Sequence, residues 1–132
     1  MTIAARLELR GGWRLDPEDR FALDGENGLR GYRLHAVNGT RNAVLNVEAR
    51  RLIVPDLLHL VSLGVAAFAD AGLSAGPPDG TRRLANVGVG LRVGLGRASR
   101  HDLLRIDLAR SLVPDPLGRT GWLVSFGSGQ AF

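Results

Sequence analysis

Apolar and polar residues alternate with a period of two along most of this chain. Ile3, Ala5, Leu7 and Leu9 take one parity, while Arg6, Glu8 and Arg10 take the other. Ala43, Leu45, Val47 and Ala49 alternate with Asn42, Asn46, Glu48 and Arg50. Val87 to Leu95 alternates with Asn86, Gly88, Gly90, Arg92 and Gly94, and Leu104, Ile106 and Leu108 alternate with Arg105 and Asp107. Such a period gives strands with one apolar face and one face that is polar or glycine. Six strands are expected near residues 2–10, 42–52, 57–70, 84–97, 101–111 and 121–132. At about 9–14 residues they are longer than the globular mode of about 5–6.

The connections alternate too. Arg51 to Asp56, carrying Pro55, and Arg97 to Arg100 are short, whereas Gly11 to Arg41, Ala71 to Arg83 and Leu112 to Thr120 are long and rich in Gly, Pro and Asp. Short turns at one end and long loops at the other are the outer-membrane barrel arrangement. Alternation by itself leaves two folds open. In a soluble sandwich the apolar face points to a core; in a membrane barrel it meets lipid and the polar face lines the lumen. The 18 glycines favour the barrel, because many fall on the polar parity and leave room for something inside. Trp122 and Phe132 share a parity ten residues apart. Ten steps at about 3.3 Å, tilted by about 40°, rise roughly 25 Å, the height of a barrel's lipid-facing band.

Composition narrows the function classes. There is no run of about 18 apolar residues, so no transmembrane helix is expected, although barrel strands need only about 9–11 alternating residues. All 17 basic residues are arginine, the net charge is +4, and aromatics make up 5%. The arginines are spread along the chain, not clustered among aromatics, so a nucleic-acid partner is not expected. With no cysteine there are no disulfides or thiolate ligands, and His35, His59 and His101 lack ligand spacing, so neither metal nor cofactor is expected. Gly88-x-Gly90 lies inside a strand instead of before a helix, Asn38-Gly39-Thr40 reads as a turn, and no serine sits in a nucleophile elbow, so the chain is not read as an enzyme. Met1 to Arg10 has no apolar signal segment, so either the chain is a fragment, from a truncated gene or an excised domain, or a membrane-barrel reading is wrong.

Three motifs stand in order within this frame. Leu29-Arg30-Gly31-Tyr32 lies in the first long loop, Glu48 in the second strand, and Phe68-Ala69-Asp70-Ala71-Gly72 across the end of the third. Trp122, Val124, Phe126 and Phe132 share the outward parity of the last segment. In these features residues 1–132 resemble the C-terminal part of an outer-membrane barrel of the Omp85 superfamily, the barrel-assembly and protein-translocation pores. The resemblance implies an all-β, antiparallel, curved partial transmembrane β-barrel of about six strands, the C-terminal part of a 16-stranded barrel. It implies that the loop over residues 11–41 folds into the lumen and that the final segment is an insertion signal, though Ser128 and Gln130 depart from its usual apolar pattern. The implied location is the outer membrane of a Gram-negative cell. Implied partners are outer-membrane lipid, client polypeptides, the remaining barrel strands and POTRA-like domains of the parent protein.

The residues make their own case for the lock. Glu48 and Asp70 fall on the polar parity of neighbouring strands, where two carboxylates in a restricted space need a cation, and an arginine can fork between them. Arg30 is therefore expected to bridge both, with Gly28 and Gly31 letting the loop tip approach the wall. Two other functions remain open from sequence: a small soluble β-barrel or sandwich binding an apolar ligand, and an inactive fragment.

Overall fold

The computed structural model describes residues 1–57, 60–95 and 103–128. Within them lie β1 (Thr2–Gly11), β2 (Phe21–Leu23), β3 (Val37–Gly39), β4 (Arg41–Leu57), β5 (Val61–Ala75), β6 (Arg82–Leu95), β7 (Leu103–Ser111) and β8 (Trp122–Ser128), with one 3-10 turn at Pro17–Asp19. Six strands form one antiparallel sheet in the order β1-β4-β5-β6-β7-β8, and β2 and β3 form a separate ribbon. The fold is all-β. The main sheet is open, since β1 and β8 do not pair with each other.

Several element bounds differ from the sequence reading, for local reasons. β4 runs on past Arg51 and through Pro55 to Leu57, with register shifts at Leu52/Val54 and Val54/Leu57. A bulge admits a proline, which cannot donate to the ladder, so the strand continues where a turn was expected. β5 accordingly starts at Val61 instead of residue 57 and reaches Ala75, which puts the whole Phe68-x-Asp70-x-Gly72 motif inside the strand. The loop expected over 11–41 contains the β2–β3 ribbon, two strands too short to announce themselves by alternation. Phe132, His59, His101 and Gln130 lie outside the described residues.

The faces of the sheet invert the soluble rule. Buried on one face are Asn42, Asn46 and Glu48 of β4, Asp70 and Ser74 of β5, Asn86 and Arg92 of β6, and Asp107 of β7. On the opposite, open face Leu45, Val65, Val89, Leu91, Ile106 and Leu108 are all exposed. Register carries this parity across the sheet: Ala5, Val47, Ala69 and Val87 stand in one outward row, and Ala49, Ala67, Val89, Leu108 and Val124 in another.

The segment 12–40 covers the polar face near the ends of β4 and β6. Its Leu23, Leu29, Tyr32 and Val37 pack with Val44 and Leu84 into a small apolar core. Burying a leucine of this kind contributes about 1.5–3 kcal/mol, enough to draw the segment onto the sheet. Asp24 shapes it from within: Oδ1 accepts the N–H groups of Glu26 and Asn27, each at 3.1 Å, and Oδ2 accepts that of His35 at 2.8 Å. One buried carboxylate thus ties the start of the turn to its far side.

Phe68 lies flat across the next strand, because Gly88 opposite it has no side chain. A Cβ at Gly88 would come within 2.4 Å of the Phe68 ring and 2.5 Å of the Leu108 carbonyl oxygen. Gly88→Val should therefore lower the denaturant midpoint, by about 1–3 kcal/mol of stability. An unchanged midpoint would mean that Phe68 does not occupy that space.

Candidate functional site: a buried arginine–carboxylate lock

Arg30 sits at the tip of the covering segment with its guanidinium pressed into the sheet. Nε and Nη2 donate to the two oxygens of Asp70 at 3.0 and 2.8 Å, and Nη1 donates to Glu48 at 2.5 Å. The Arg30 guanidinium also stacks on the Phe68 ring, 3.5 Å from its centroid. Arg30, Glu48 and Asp70 are all buried. Burial opposes the charged form of Arg30, but Asp70 and Glu48 outweigh it and hold its pKa above the ordinary value.

The local sequence explains how the tip gets there. Gly28 adopts a φ of +105°, open to glycine and strained for any other residue. Its carbonyl accepts a hydrogen bond from Asn46 Nδ2. At Gly31 a Cβ would come within 2.5 Å of Asn86 Cβ, so only glycine allows the backbone to lie against β6. Tyr32 fixes the far side. Its hydroxyl lies 2.7 Å from the Val113 carbonyl and accepts the Ala85 N–H at 3.1 Å, tying the loop to β6 and to the β7–β8 connection. Burial pushes the Tyr32 phenol above its usual pKa, so it remains a neutral donor.

The lock extends beyond the loop. Arg92 of β6 donates to Glu48 Oε1 at 3.0 Å and to Asp107 of β7 at 2.5 Å. Arg50 of β4 donates to Glu48 Oε1 at 2.7 Å. Asn46 and Asn86, flanking Asp70 in the register, each donate to it at 2.8 Å. Among the described residues, three guanidiniums thus meet three carboxylates. Replacing such a network with apolar groups is often energetically neutral, whereas removing one member leaves a bare buried charge. Its consequence is position: the loop has one placement in which every charge is met.

The structure brings Leu29, Arg30, Gly31, Tyr32, Glu48, Phe68, Asp70 and Gly72 together on the covered face. At Gly72 a Cβ would come within 2.9 Å of both Leu23 and Leu29, so the glycine seats the loop's apolar side. Trp122, Val124 and Phe126 stand apart from the lock, exposed on the open face. Asp107, on the polar parity of β7, pairs with Arg92 and lies 3.9 Å from Arg30 Nη1. Arg92, Arg50, Asn46, Asn86 and Asp24 were not singled out as site residues. The signal for the first four was their polar parity, which puts them on the Glu48 and Asp70 face. Comparison with protein-family models, curated proteins and solved structures returned no match.

Removing the Arg30 guanidinium leaves Glu48 and Asp70 less compensated. Arg30→Ala should cost about 3–5 kcal/mol in a dry site and expose residues 12–40 to protease. Arg30→Lys should protect only partly, because an ammonium cannot fork. Unchanged cleavage in Arg30→Ala would remove the lock from consideration. A second test addresses the β7–β8 connection. The slight burial of Asp115 favours its neutral form, but the Arg119 backbone and side chain and the Leu117 N–H outweigh this and hold its pKa below the usual carboxylate value. A lowered folded-state pKa stabilises above the unfolded value, about 3.9, and the effect is lost as pH falls through the folded one. Protection factors of the Leu117 and Arg119 amides should accordingly fall below about pH 4, with the sheet amides unaffected.

Proposed function

We propose that this chain is the wall and loop lock of an Omp85-type outer-membrane pore, one that translocates client polypeptides or assembles barrels in a Gram-negative cell. The observation that carries the reading is the inversion of the sheet. A six-stranded surface exposes leucine, valine and isoleucine on one side and buries charged groups on the other. Water would penalise that arrangement and a bilayer rewards it, because apolar side chains then meet lipid and the polar face lines a lumen.

Dimensions agree. On β5 the outward positions run from Leu63 to Leu73. Ten steps at about 3.3 Å, tilted by about 40°, rise about 25 Å, the height of a lipid-facing band. Both tryptophans, Trp13 and Trp122, are exposed near the long loops, where an aromatic girdle would meet the headgroups. The long loops face the outside and the short turns face the periplasm. The free edges of β1 and β8 are where the remaining strands of a sixteen-stranded barrel would pair, since unpaired edges are an aggregation hazard. POTRA-like modules of the parent would deliver the client. The role is mechanical and not enzymatic: the lock holds a plug in the lumen.

A soluble ligand-binding sandwich fits less well, because the covered face is filled by a loop and ion pairs and offers no apolar interior. The chain has no cysteine, so single cysteines can report each position. Labels at Leu45, Val89 and Leu108 should be quenched by lipid-borne quenchers in vesicles, and a label at Ser74 should not. Quenching that ignores parity, or a product monodisperse without detergent, would sink the membrane reading.

A further inference from the structure

The charges of the open face are all of one sign. Along the paired stretches of the sheet the outward positions hold Arg41, Arg51, Arg83 and Arg110, and among the described residues they hold no aspartate or glutamate. Glu48, Asp70 and Asp107 lie on the other face, where the lock consumes them. Three of the outward arginines stand at the loop end of their own strands. Arg41 is the first residue of β4, Arg83 the second of β6 and Arg110 the last but one of β7. All three are exposed, and none makes an ion pair with a described residue. Arg110 instead lies over the Trp122 ring, 5.7 Å from its centroid.

On a lipid-facing surface an unpaired arginine is costly near the midplane, by about 2–4 kcal/mol, and nearly free at the interface. Placement at strand ends meets the second condition. The exclusive use of one sign is not explained by solubility, which either sign would serve. We infer that Arg41, Arg83 and Arg110 form a collar that binds the phosphate groups of anionic lipid headgroups in the leaflet on the loop side. Guanidiniums match phosphate oxygens bidentately, and Trp122 would hold Arg110 at headgroup depth. Registers stagger the three in one direction along the sheet: Arg41 is opposite Ala75, Arg83 opposite Leu73, and Arg110 opposite Val87, which itself pairs with Ala69. Strand tilt in a barrel staggers strand ends in this way, so each arginine can still reach the same boundary.

The inference rests on the membrane reading, and one experiment separates the two. The whole chain is refolded into vesicles of phosphatidylcholine alone and of phosphatidylcholine with phosphatidic acid, and partitioning is measured by flotation. The expected result is insertion into both, with partitioning about 100-fold stronger into the anionic vesicles at low salt and weaker as salt rises, from about 1 kcal/mol per arginine at 1.4 kcal/mol per tenfold. Arg41→Gln/Arg83→Gln/Arg110→Gln should abolish that preference. The control Arg14→Gln/Arg33→Gln/Arg82→Gln, which removes the same charge from exposed positions elsewhere, should keep it. Protection of residues 12–40 from protease reports that each variant is folded, and Arg83→Gln alone should lose about fivefold should the triple variant misfold. Equal partitioning into both vesicles, or equal loss in the control, overturns the collar and leaves the membrane reading standing. Failure to insert into either vesicle overturns both.

Discussion

The Arg30 guanidinium is the group on which the covered face depends. Glu48 and Asp70 approach the same space from adjacent strands, and neither can be buried charged without a cation. Arg30 satisfies both, and its planar fork fits two carboxylates where an ammonium would reach one. The rest of the segment serves this placement. Leu23, Leu29 and Val37 supply the apolar contact that brings the loop down, Asp24 closes its turn, and Tyr32 secures the side away from β4. Apolar contact draws the loop to the sheet, and the ion pairs choose where on the sheet it rests.

The same constraint explains the composition of the wall. Long side chains must lie on the covered face without standing off the sheet, so glycine recurs at the polar parity of β6. Gly88 receives the Phe68 ring, and Gly90 leaves space for the heads of Asp107 and Arg92. The open face shows the opposite economy, with aliphatic side chains that interact only with their cross-strand neighbours. Glycine on the covered face and valine on the open one is the pattern of a sheet that packs closely against its own loop on one side only.

The strands were legible because alternation is a local property of the chain. β1, β6 and β7 could be placed to within a few residues, since each carries at least three apolar positions of one parity. The bounds of β4 and β5 were not, because Pro55 signals a turn locally while a bulge lets the ladder continue through it. β2 and β3 were invisible, each three residues long and held by what they pack against. Among the lock residues, Arg30, Glu48 and Asp70 were readable from motif and parity. Arg92 was not, because its partners Glu48 and Asp107 are brought to it from two other strands by a register that no local pattern encodes. Alternation is symmetric and did not by itself say which face is buried; the glycines and the paired carboxylates of the polar parity pointed to the face that the loop covers.

The ion pairs of the lock are unevenly shared, and this decides what its opening would cost. Glu48 has Arg50 and Arg92 as well as Arg30, and both sit on the wall. Asp107 keeps Arg92 whether or not the loop is present. Asp70 has Arg30 as its cation, with Asn46 and Asn86 donating neutral amide hydrogens beside it. Withdrawal of the loop would therefore leave Glu48 and Asp107 compensated and Asp70 charged between two amides. Amide donors hydrogen-bond the carboxylate but bring no opposite charge, so the deficit would concentrate at Asp70. Water entering the vacated space would recover part of it, since solvation lowers the cost of a bare charge. The strands hold Glu48 and Asp107 with their own arginines, so the cost of withdrawing the covering segment falls on Asp70.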